Sequence, residues 1–347
     1  MENFYNLNNY AYTISQDLIA QEPLATRDGA RLLCLRRQGQ SLQEMIFRDI
    51  FALLEPEDVL VLNNTKVIKA RLVGRKKTGA RLDFLLLGER GDGIWEVLVK
   101  PSKRARQGDL VMFSDGDDFC AEILEATEQG KKLIRFHPRQ IHSLLEKYGK
   151  VPLPPYIKTE IDEETKYQTI FATQEGAIAA PTAGFHFTEE LLERLRQKKV
   201  HIVYITLHCG TSTFRPVKTS DIRNHIMDKE VLEISSEAAR VINQAKQRGK
   251  RVFAVGTTSV RALESAAVSS NRIFQVVPQV KETSLYIMPG YTFKIVDALV
   301  TNFHTPCSTN LILIASFCGL DLTHQAYRYA IAHGFRFYSF GDAMAIL

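Results

Sequence analysis

The spacing of apolar residues changes along the chain and separates two kinds of segment. From Asn64 to about residue 136, short apolar runs alternate with glycine-bearing turns, and these runs are 81–87, 94–99, 110–113, 119–124 and 133–136. Helix signals are absent over this stretch. Strands of this length and spacing predict a small antiparallel β-barrel or sandwich.

Outside that stretch, strand-like and helix-like segments alternate. Apolar, β-branched runs predict strands at 58–62, 200–207 and 251–255. Apolar residues at helical spacing predict helices at 42–54, 189–197, 235–248 and 260–267. Alternation of this kind favours an α/β sheet.

A proline-rich joint at 151–156 marks the boundary between the two regions, because proline continues neither a helix nor a central strand. We therefore expect an α/β main domain with a mixed sheet, formed by residues 1–65 and 151–347. The barrel would be a small antiparallel β-barrel domain inserted into it at residues 66–150.

Composition is that of an ordinary globular protein, with 45% hydrophobic and 24% charged residues over 347 positions. No apolar run reaches the roughly 20 residues that span a bilayer, and the first residues lack a signal-peptide pattern. The five cysteines show no C-x-x-C spacing and the nine histidines no paired spacing. We expect a cytoplasmic monomer with reduced thiols, no membrane contact and no bound metal or cofactor.

The net charge of +5 is mild but unevenly distributed. A basic cluster follows Trp95, the only tryptophan, and consists of Lys100, Lys103, Arg104 and Arg106. Such a cluster suits a phosphate-rich partner. It is equally compatible with a solvated basic loop, so both interpretations stay open.

The segment 251–261 is a strand, a glycine turn and a helix start. Gly256 allows a ligand to approach the backbone, and Thr257, Thr258 and Ser259 offer hydroxyls, one of them as the expected N-cap. Together with Arg261, the helix start would favour a carboxylate or phosphate. The alternative is an ordinary strand-to-helix connection.

Two further segments place a histidine in the connection that follows a predicted strand. Residues 180–188 contain Thr182 and His186, and residues 206–216 place His208 at a strand end beside Cys209, hydroxyls that include Ser212, and Arg215. A histidine between phenylalanines is often a core residue, yet connections are rich in catalytic groups. An imidazole at a strand end suits proton transfer near neutral pH. Nothing favours the Cys209 thiolate as a nucleophile.

The last two segments are 301–310, with Asn302 and His304 at a strand end, and 334–344, which contains Gly341-Asp342. The alternating aromatics of 334–344 predict a strand with one polar face. Ligands of open α/β sheets bind beyond the carboxyl ends of strands. Four of the five segments lie at such ends, so we expect one shared cleft for an anionic or nucleoside-like substrate.

The same strings resemble one family, the S-adenosylmethionine:tRNA ribosyltransferase-isomerases of queuosine biosynthesis. The resemblance runs from residues 18–21 to 341–344, nearly the whole chain. Its most specific pieces are residues 62–68, 152–156, 167–169, 180–188, 255–261 and 301–304. It implies an α/β domain that carries a β-barrel. It also implies that the ribosyl part of S-adenosylmethionine moves to 7-aminomethyl-7-deazaguanine at the tRNA wobble position, giving epoxyqueuosine, adenine and methionine.

Roles follow from the resemblance as hypotheses. S-adenosylmethionine is consumed as a donor, and its carboxylate would bind the turn Gly256–Arg261. His186 or His208 would remove the proton next to the sulfonium, and Asp342 or His304 would protonate adenine. The donor pocket would further use Thr182 and Asn302. Phosphates of the tRNA would contact Lys66, Arg71, Lys100, Lys103 and Arg104.

The chain departs from the family's pattern at several positions. Asp228 replaces the second histidine of His-x-Met-His-x-Glu, Ser212 replaces a glycine and Ala11 an aspartate, while Cys307 and Asn310 alter the loop after His304. Asp228 can still accept a proton, so loss of activity does not follow.

Two other classes of function compete with this one. A conventional S-adenosylmethionine methyltransferase would need a glycine-rich loop after an early strand, and none stands in the first hundred residues. A non-catalytic RNA-binding protein would bind tRNA without turnover. Release of S-adenosylhomocysteine would favour the methyltransferase.

Overall fold

The structure is a computed structural model that describes residues 4–116, 118–127, 130–159, 164–210, 216–270 and 273–347. The chain divides into two compact units. The α/β unit comprises Met1–Lys66 and Pro154–Leu347, and the barrel unit comprises Val67–Leu153.

The described residues form strands and helices in the following order. The strands are β1 Arg31–Arg36, β2 Ser41–Ile46, β3 Val59–Asn63, β4 Thr65–Val67, β5 Arg71–Lys76, β6 Arg81–Gly91, β7 Ile94–Lys100, β8 Leu110–Met112, β9 Cys120–Ala126, β10 Lys132–His137, β11 Gln174–Ala177, β12 His201–Leu207, β13 Glu230–Ile234, β14 Val252–Val255, β15 Ala267–Ser270, β16 Ile273–Val276, β17 Gln279–Thr283, β18 Ala298–Asn302 and β19 Ala343–Ile346. The α-helices are α1 Ile50–Leu53, α2 His142–Tyr148, α3 Glu189–Gln197, α4 Ser236–Gln247, α5 Thr257–Ser265, α6 Thr309–Cys318 and α7 Leu320–Ala332.

A nine-stranded mixed sheet organises the α/β unit, with the order β17-β13-β12-β3-β14-β18-β19-β1-β2. Its centre is parallel from β12 through β3 and β14 to β18, whereas β19 is antiparallel to β18 and parallel to β1. Every residue of β3, β14 and β18 is buried. Apolar clusters cover both faces, as continuous apolar strands require. The α/β expectation is therefore confirmed.

The barrel unit is a closed antiparallel barrel with the strand order β10-β7-β6-β5-β8-β9. Burial alternates along its strands, so that Leu82, Phe84 and Leu86 of β6 point inward while their neighbours are more exposed. Gly74 lies where a Cβ would come 2.5 Å from Val111 Cγ1, which explains its small size. The predicted small antiparallel barrel is confirmed.

Two predicted elements were wrong. Residues 42–54 are not one helix, because β2 occupies Ser41–Ile46 and α1 begins only at Ile50. Pairing of β2 with β1 along its whole length outweighs the local helical spacing. Residues 334–342 are not a strand either. Tyr338 has φ of +70°, and a Cβ on Gly341 would lie 2.5 Å from the Arg336 carbonyl oxygen, so the chain turns there before β19.

Candidate functional site

A pocket lies at the carboxyl ends of β14 and β18 in the α/β unit, where four of the five polar segments were expected to meet. None of the described residues that line it carries a formal charge at neutral pH. They are Tyr156, Ala180, Pro181, Thr182, Ala183, Gly256, Thr257, Thr258, Thr301, Asn302, Phe303, His304, Thr305, Asn310, Tyr338 and Ser339. We call this the donor pocket, after the ligand that the sequence resemblance leads us to expect.

The start of α5 forms one wall. Gly256 is the N-cap, with φ of +86° and its N–H bonded 2.7 Å from the Val300 carbonyl oxygen. The expected hydroxyl N-cap was wrong, because the cap residue has no side chain and the first-turn N–H groups have no side-chain cap. Thr257 donates its hydroxyl to Asn310 Oδ1 at 3.0 Å, and Thr258 Oγ1 accepts from Asn63 Nδ2 at 3.3 Å. The helix end is therefore open to an anion.

Ser259 and Arg261 belong to the same helix but do not line the donor pocket. Ser259 donates to the Val255 carbonyl oxygen at 2.7 Å. Arg261 is 6% exposed, forms an ion pair with the buried Glu230 and donates through Nε to the Leu285 carbonyl oxygen. Arg261 lies one helical turn beyond Thr257, and its contacts with Glu230 and Leu285 keep it out of the pocket lining, while Ser259 bonds back to the end of β14. The sequence-based grouping of all five residues in one anion site is corrected to the first three.

Asn302 and Thr182 meet at the end of β18. Thr182 donates its hydroxyl to Asn302 Oδ1 at 3.3 Å, while Asn302 Nδ2 donates to the Tyr338 carbonyl oxygen at 3.1 Å and lies 3.3 Å from His186 Nε2. His186 stacks on Phe47 with ring centroids 4.8 Å apart and is 5% exposed. Burial lowers the pKa of His186 to about 4. His186 therefore contacts the pocket through Asn302.

His304 is the histidine that lines the donor pocket. Its ring Nε2 lies 2.8 Å from Thr301 Oγ1. Its backbone N–H donates to the Tyr327 hydroxyl, and its backbone carbonyl oxygen accepts from the Tyr12 hydroxyl. Burial lowers the pKa of His304 to about 3. The imidazole is thus neutral at physiological pH, and the same burial makes it a weak base.

His208 follows β12 and lies outside the lining of the donor pocket. Its Nδ1 is 2.8 Å from Thr65 Oγ1, and its ring lies so close to Gly176 that a Cβ there would be 2.9 Å away. Burial lowers the pKa of His208, and the charge of Glu233 opposes this. Ser212 and Arg215 of the same segment lie outside the described residues.

Asp342 is also outside the lining. Its carboxylate accepts from the backbone N–H groups of Arg31 at 3.0 Å and Arg336 at 2.8 Å, and it is 2% exposed. Burial raises its pKa, and those hydrogen bonds lower it in part. The carboxylate thus ties β1 to the turn before β19.

The cations proposed to contact phosphates differ in whether they already form an ion pair. Lys66 forms an ion pair with Glu175 in the α/β unit, and Arg71 forms one with Asp83 in the barrel unit. The exposed cations Lys100, Lys103 and Arg104 form no ion pair within the part of the chain that the structure describes.

Four departures from the family's pattern lie within the described residues, and the first is Ala11, whose N–H donates to the Asn8 carbonyl oxygen. Asn310 lines the pocket and bonds Thr257. Cys307 has φ of +54° and donates its N–H to the Tyr10 carbonyl oxygen. Asp228 is half-buried. Burial lowers the pKa of His225, and the charge of Asp228 offsets this in part.

Sequence reasoning missed Tyr156, Tyr338 and Ser339 as pocket residues. Tyr156 was interpreted as part of the boundary, and the other two as part of a strand. The Tyr156 hydroxyl lies 2.7 Å from Ser339 Oγ, and the Tyr156 and Tyr338 rings are 4.7 Å apart. The resemblance at 152–156 was the signal that could have marked Tyr156.

Over the described ranges, no group of three or more His, Cys, Asp or Glu side chains could hold a metal ion. Among the helices that the structure describes, none is long and apolar enough to span a bilayer.

Comparison with known proteins gives the family. The family described as "Queuosine biosynthesis protein" matches residues 7–346. The S-adenosylmethionine:tRNA ribosyltransferase-isomerase of Desulfitobacterium hafniense is 47% identical over 98% of this chain and 99% of its own, and that of Thermotoga maritima is 45% identical over 98% and 99%. The crystal structure of S-adenosylmethionine tRNA ribosyltransferase from Thermotoga maritima superposes with a TM-score of 0.56, at 36% identity, over 98% of this chain and 100% of that one. The chain therefore belongs to the queuosine biosynthesis family of S-adenosylmethionine:tRNA ribosyltransferase-isomerases.

Proposed function

We propose that this protein transfers and isomerises the ribosyl moiety of S-adenosylmethionine onto 7-aminomethyl-7-deazaguanine at the wobble position of tRNA. Epoxyqueuosine forms, and adenine and methionine are released. The observation that carries the proposal is the full-length family match, combined with an uncharged pocket at the carboxyl ends of β14 and β18. This edge is where open α/β sheets hold nucleotide-like ligands.

The methionine carboxylate of the donor binds at the start of α5 in this proposal. Gly256 keeps the backbone accessible, and Thr257 and Thr258 present hydroxyls beside first-turn N–H groups that have no side-chain cap. The positive end of the helix favours an anion there. Arg261 does not touch the donor in this proposal, and instead stabilises α5 through its ion pair with Glu230.

His304 accepts the proton next to the sulfonium. Its place in the pocket lining carries this assignment, since the burial that keeps the imidazole neutral also makes it a weak base. Asn302, held by His186 and Thr182, positions the donor beside it. His208 and Asp342 hold the neighbouring segments through Thr65 and through the Arg31 and Arg336 amides.

The acceptor tRNA binds through its phosphates. Lys100, Lys103 and Arg104 of the barrel unit are exposed and carry this role most directly, with Lys66 and Arg71 exchanging their carboxylate partners for phosphates. The protein acts as a cytoplasmic monomer. It needs no further cofactor, because S-adenosylmethionine itself is consumed.

The reaction is tested by incubating the protein with S-adenosylmethionine and tRNA that bears the deazaguanine precursor. Adenine, methionine and the modified nucleoside are expected in equal amounts. The matched control is the same tRNA with guanine at the wobble position, which should yield none of them. Formation of S-adenosylhomocysteine would instead support a methyltransferase, and tight tRNA binding without any turnover would support a binding protein.

A further inference from the structure

The donor pocket poses an electrostatic problem for a cationic ligand. A sulfonium carries a full positive charge, yet none of the described lining residues is an aspartate or glutamate. Moving an uncompensated charge into a partly desolvated site is costly. Some other group in the pocket has to offset that cost.

Two tyrosine rings are the groups best placed to do so. Tyr156 and Tyr338 both line the pocket, with ring centroids 4.7 Å apart and planes inclined by 49°. A cation over the face of an aromatic ring is attracted by the ring's quadrupole. Because these two rings contact each other, the cation would lie over a face that is turned to the pocket and not between the rings.

Both rings are held in place before any ligand arrives. The Tyr156 hydroxyl lies 2.7 Å from Ser339 Oγ, and the backbone carbonyl oxygen of Tyr156 accepts from Gln21 Nε2 at 3.0 Å. Tyr338 adopts φ of +70°, an unfavourable region for a residue with a Cβ, and its carbonyl oxygen accepts from Asn302. Backbone strain of this kind concentrates at functional sites.

The two phenols are neutral under working conditions. Burial raises the pKa of Tyr156 and, partly opposed by a hydrogen bond with Tyr12, raises that of Tyr338. Their attraction for a cation therefore comes from the ring faces and not from phenolate charge.

We propose that Tyr156 and Tyr338 recognise the sulfonium of S-adenosylmethionine through their ring faces and thereby distinguish the charged donor from uncharged thioethers. The proposal rests on the proposed function, since it assigns a role within that donor pocket. The rival role for the same rings is stacking on the adenine. Adenine is common to S-adenosylmethionine and S-adenosylhomocysteine, whereas the sulfonium is present in the first alone.

The experiment is titration calorimetry of the full chain with S-adenosylmethionine and with S-adenosylhomocysteine, comparing wild type, Tyr156→Phe and Tyr156→Leu. Tyr156→Phe keeps the ring and should retain the preference for the sulfonium. Tyr156→Leu should lower that preference about threefold to tenfold, with the affinity for the thioether nearly unchanged. Tyr204→Leu is the matched control, because Tyr204 is a half-buried tyrosine of β12 that does not line the pocket.

A series of fluorinated phenylalanines at position 156 repeats the test without changing the ring's shape. Each added fluorine weakens the quadrupole, so the preference for the sulfonium should fall stepwise. An equal loss for both ligands would overturn the proposal in favour of adenine stacking, and an unchanged preference in Tyr156→Leu and in the fluorinated series would overturn it as well. Failure of wild type to bind S-adenosylmethionine at all would count against the proposed function itself.

Discussion

The interior of the barrel unit and the carboxyl edge of the nine-stranded sheet bury different kinds of residue. Among the described residues of the barrel unit, Lys132 is the one polar or charged residue that is buried. The sheet edge buries many, among them Asn63, Thr258, Asn302 and Asp342, together with the ion pair Arg261–Glu230.

This difference separates architecture from chemistry. Burying a polar group is unfavourable unless it is hydrogen-bonded, so a folding core has little use for such groups. The barrel interior follows that rule with a continuous apolar cluster. The sheet edge departs from it where the donor pocket lies. Polar groups there bond one another and leave the pocket wall open to a ligand.

The largest expected effect comes from breaking the ion pair behind the pocket. The side chains of Arg261 and Glu230 are 7% and 1% exposed, and Arg261 Nη2 has no hydrogen-bond partner among the described residues. Glu230→Gln leaves the guanidinium charge buried and should lower the free energy of unfolding by about 3–5 kcal/mol in urea denaturation.

The barrel supplies the control for that comparison. Arg71 and Asp83 pair with side chains 47% and 29% exposed. Asp83→Asn should change stability by at most about 1 kcal/mol, since water screens the pair. Similar losses in the two variants would mean that burial does not distinguish the two regions.

The second effect concerns the reaction itself. His304→Ala removes the proposed proton acceptor and should slow adenine release at saturating substrate about 100-fold, or about 2.7 kcal/mol of barrier. The control is His137→Ala, an exposed histidine of the barrel, which should leave the rate unchanged. Retention of most of the rate in His304→Ala, with fold and donor affinity intact, would return the role to His208.

The third effect is on the pH dependence of stability. Burial lowers the pKa of His186 to about 4, whereas its unfolded value is about 6.5. The unfolded state therefore takes up a proton first, so this contribution is present above about pH 6.5 and is lost as the pH falls toward about 4. Between pH 7 and 5 wild type should lose about 2 kcal/mol from His186 alone.

His186→Gln isolates that contribution. The variant removes the titrating imidazole, so its stability should fall less between pH 7 and 5 than that of wild type, as measured by urea unfolding at each pH. The control for removing a histidine is His142→Gln in the barrel, because an exposed side chain contributes little to stability. An identical slope in wild type and His186→Gln would show that folding does not shift the pKa of His186.

These regions also differ in how far the sequence predicts them. Side chains along β6 and β7 point alternately into the barrel and out to solvent, so apolar and polar residues alternate in the sequence. The pattern of Leu82, Phe84 and Leu86 could therefore be recognised directly. The continuous apolar runs of β3 and β14 likewise predict central parallel strands. By contrast, β2 depends on pairing with β1, which no local spacing encodes.

The site was predictable by segment but not by side chain. Gly256, Asn302 and His304 were placed in one cleft because they follow strands that turn out to be neighbours or to share one edge. Which way each side chain points is set by the turn geometry. Asp342 accepts hydrogen bonds from backbone amides, and Ser259 donates to the Val255 carbonyl oxygen. Tyr338, in contrast, reaches the pocket because its backbone is left-handed.

The smallest expected effect is on tRNA binding and returns the comparison to the barrel surface. Replacing Lys100, Lys103 and Arg104 together by Ala should weaken tRNA binding about tenfold at moderate salt and reduce the salt slope by about 0.9 per lost phosphate contact. Thermal stability and donor affinity should stay unchanged, because these side chains are exposed and unpaired within the described residues. Arg71→Ala should weaken binding less, since Asp83 competes for the guanidinium. A variant that keeps the full salt slope would show that the phosphates contact other cations, and the barrel would then differ from the sheet edge in having no ligand of its own.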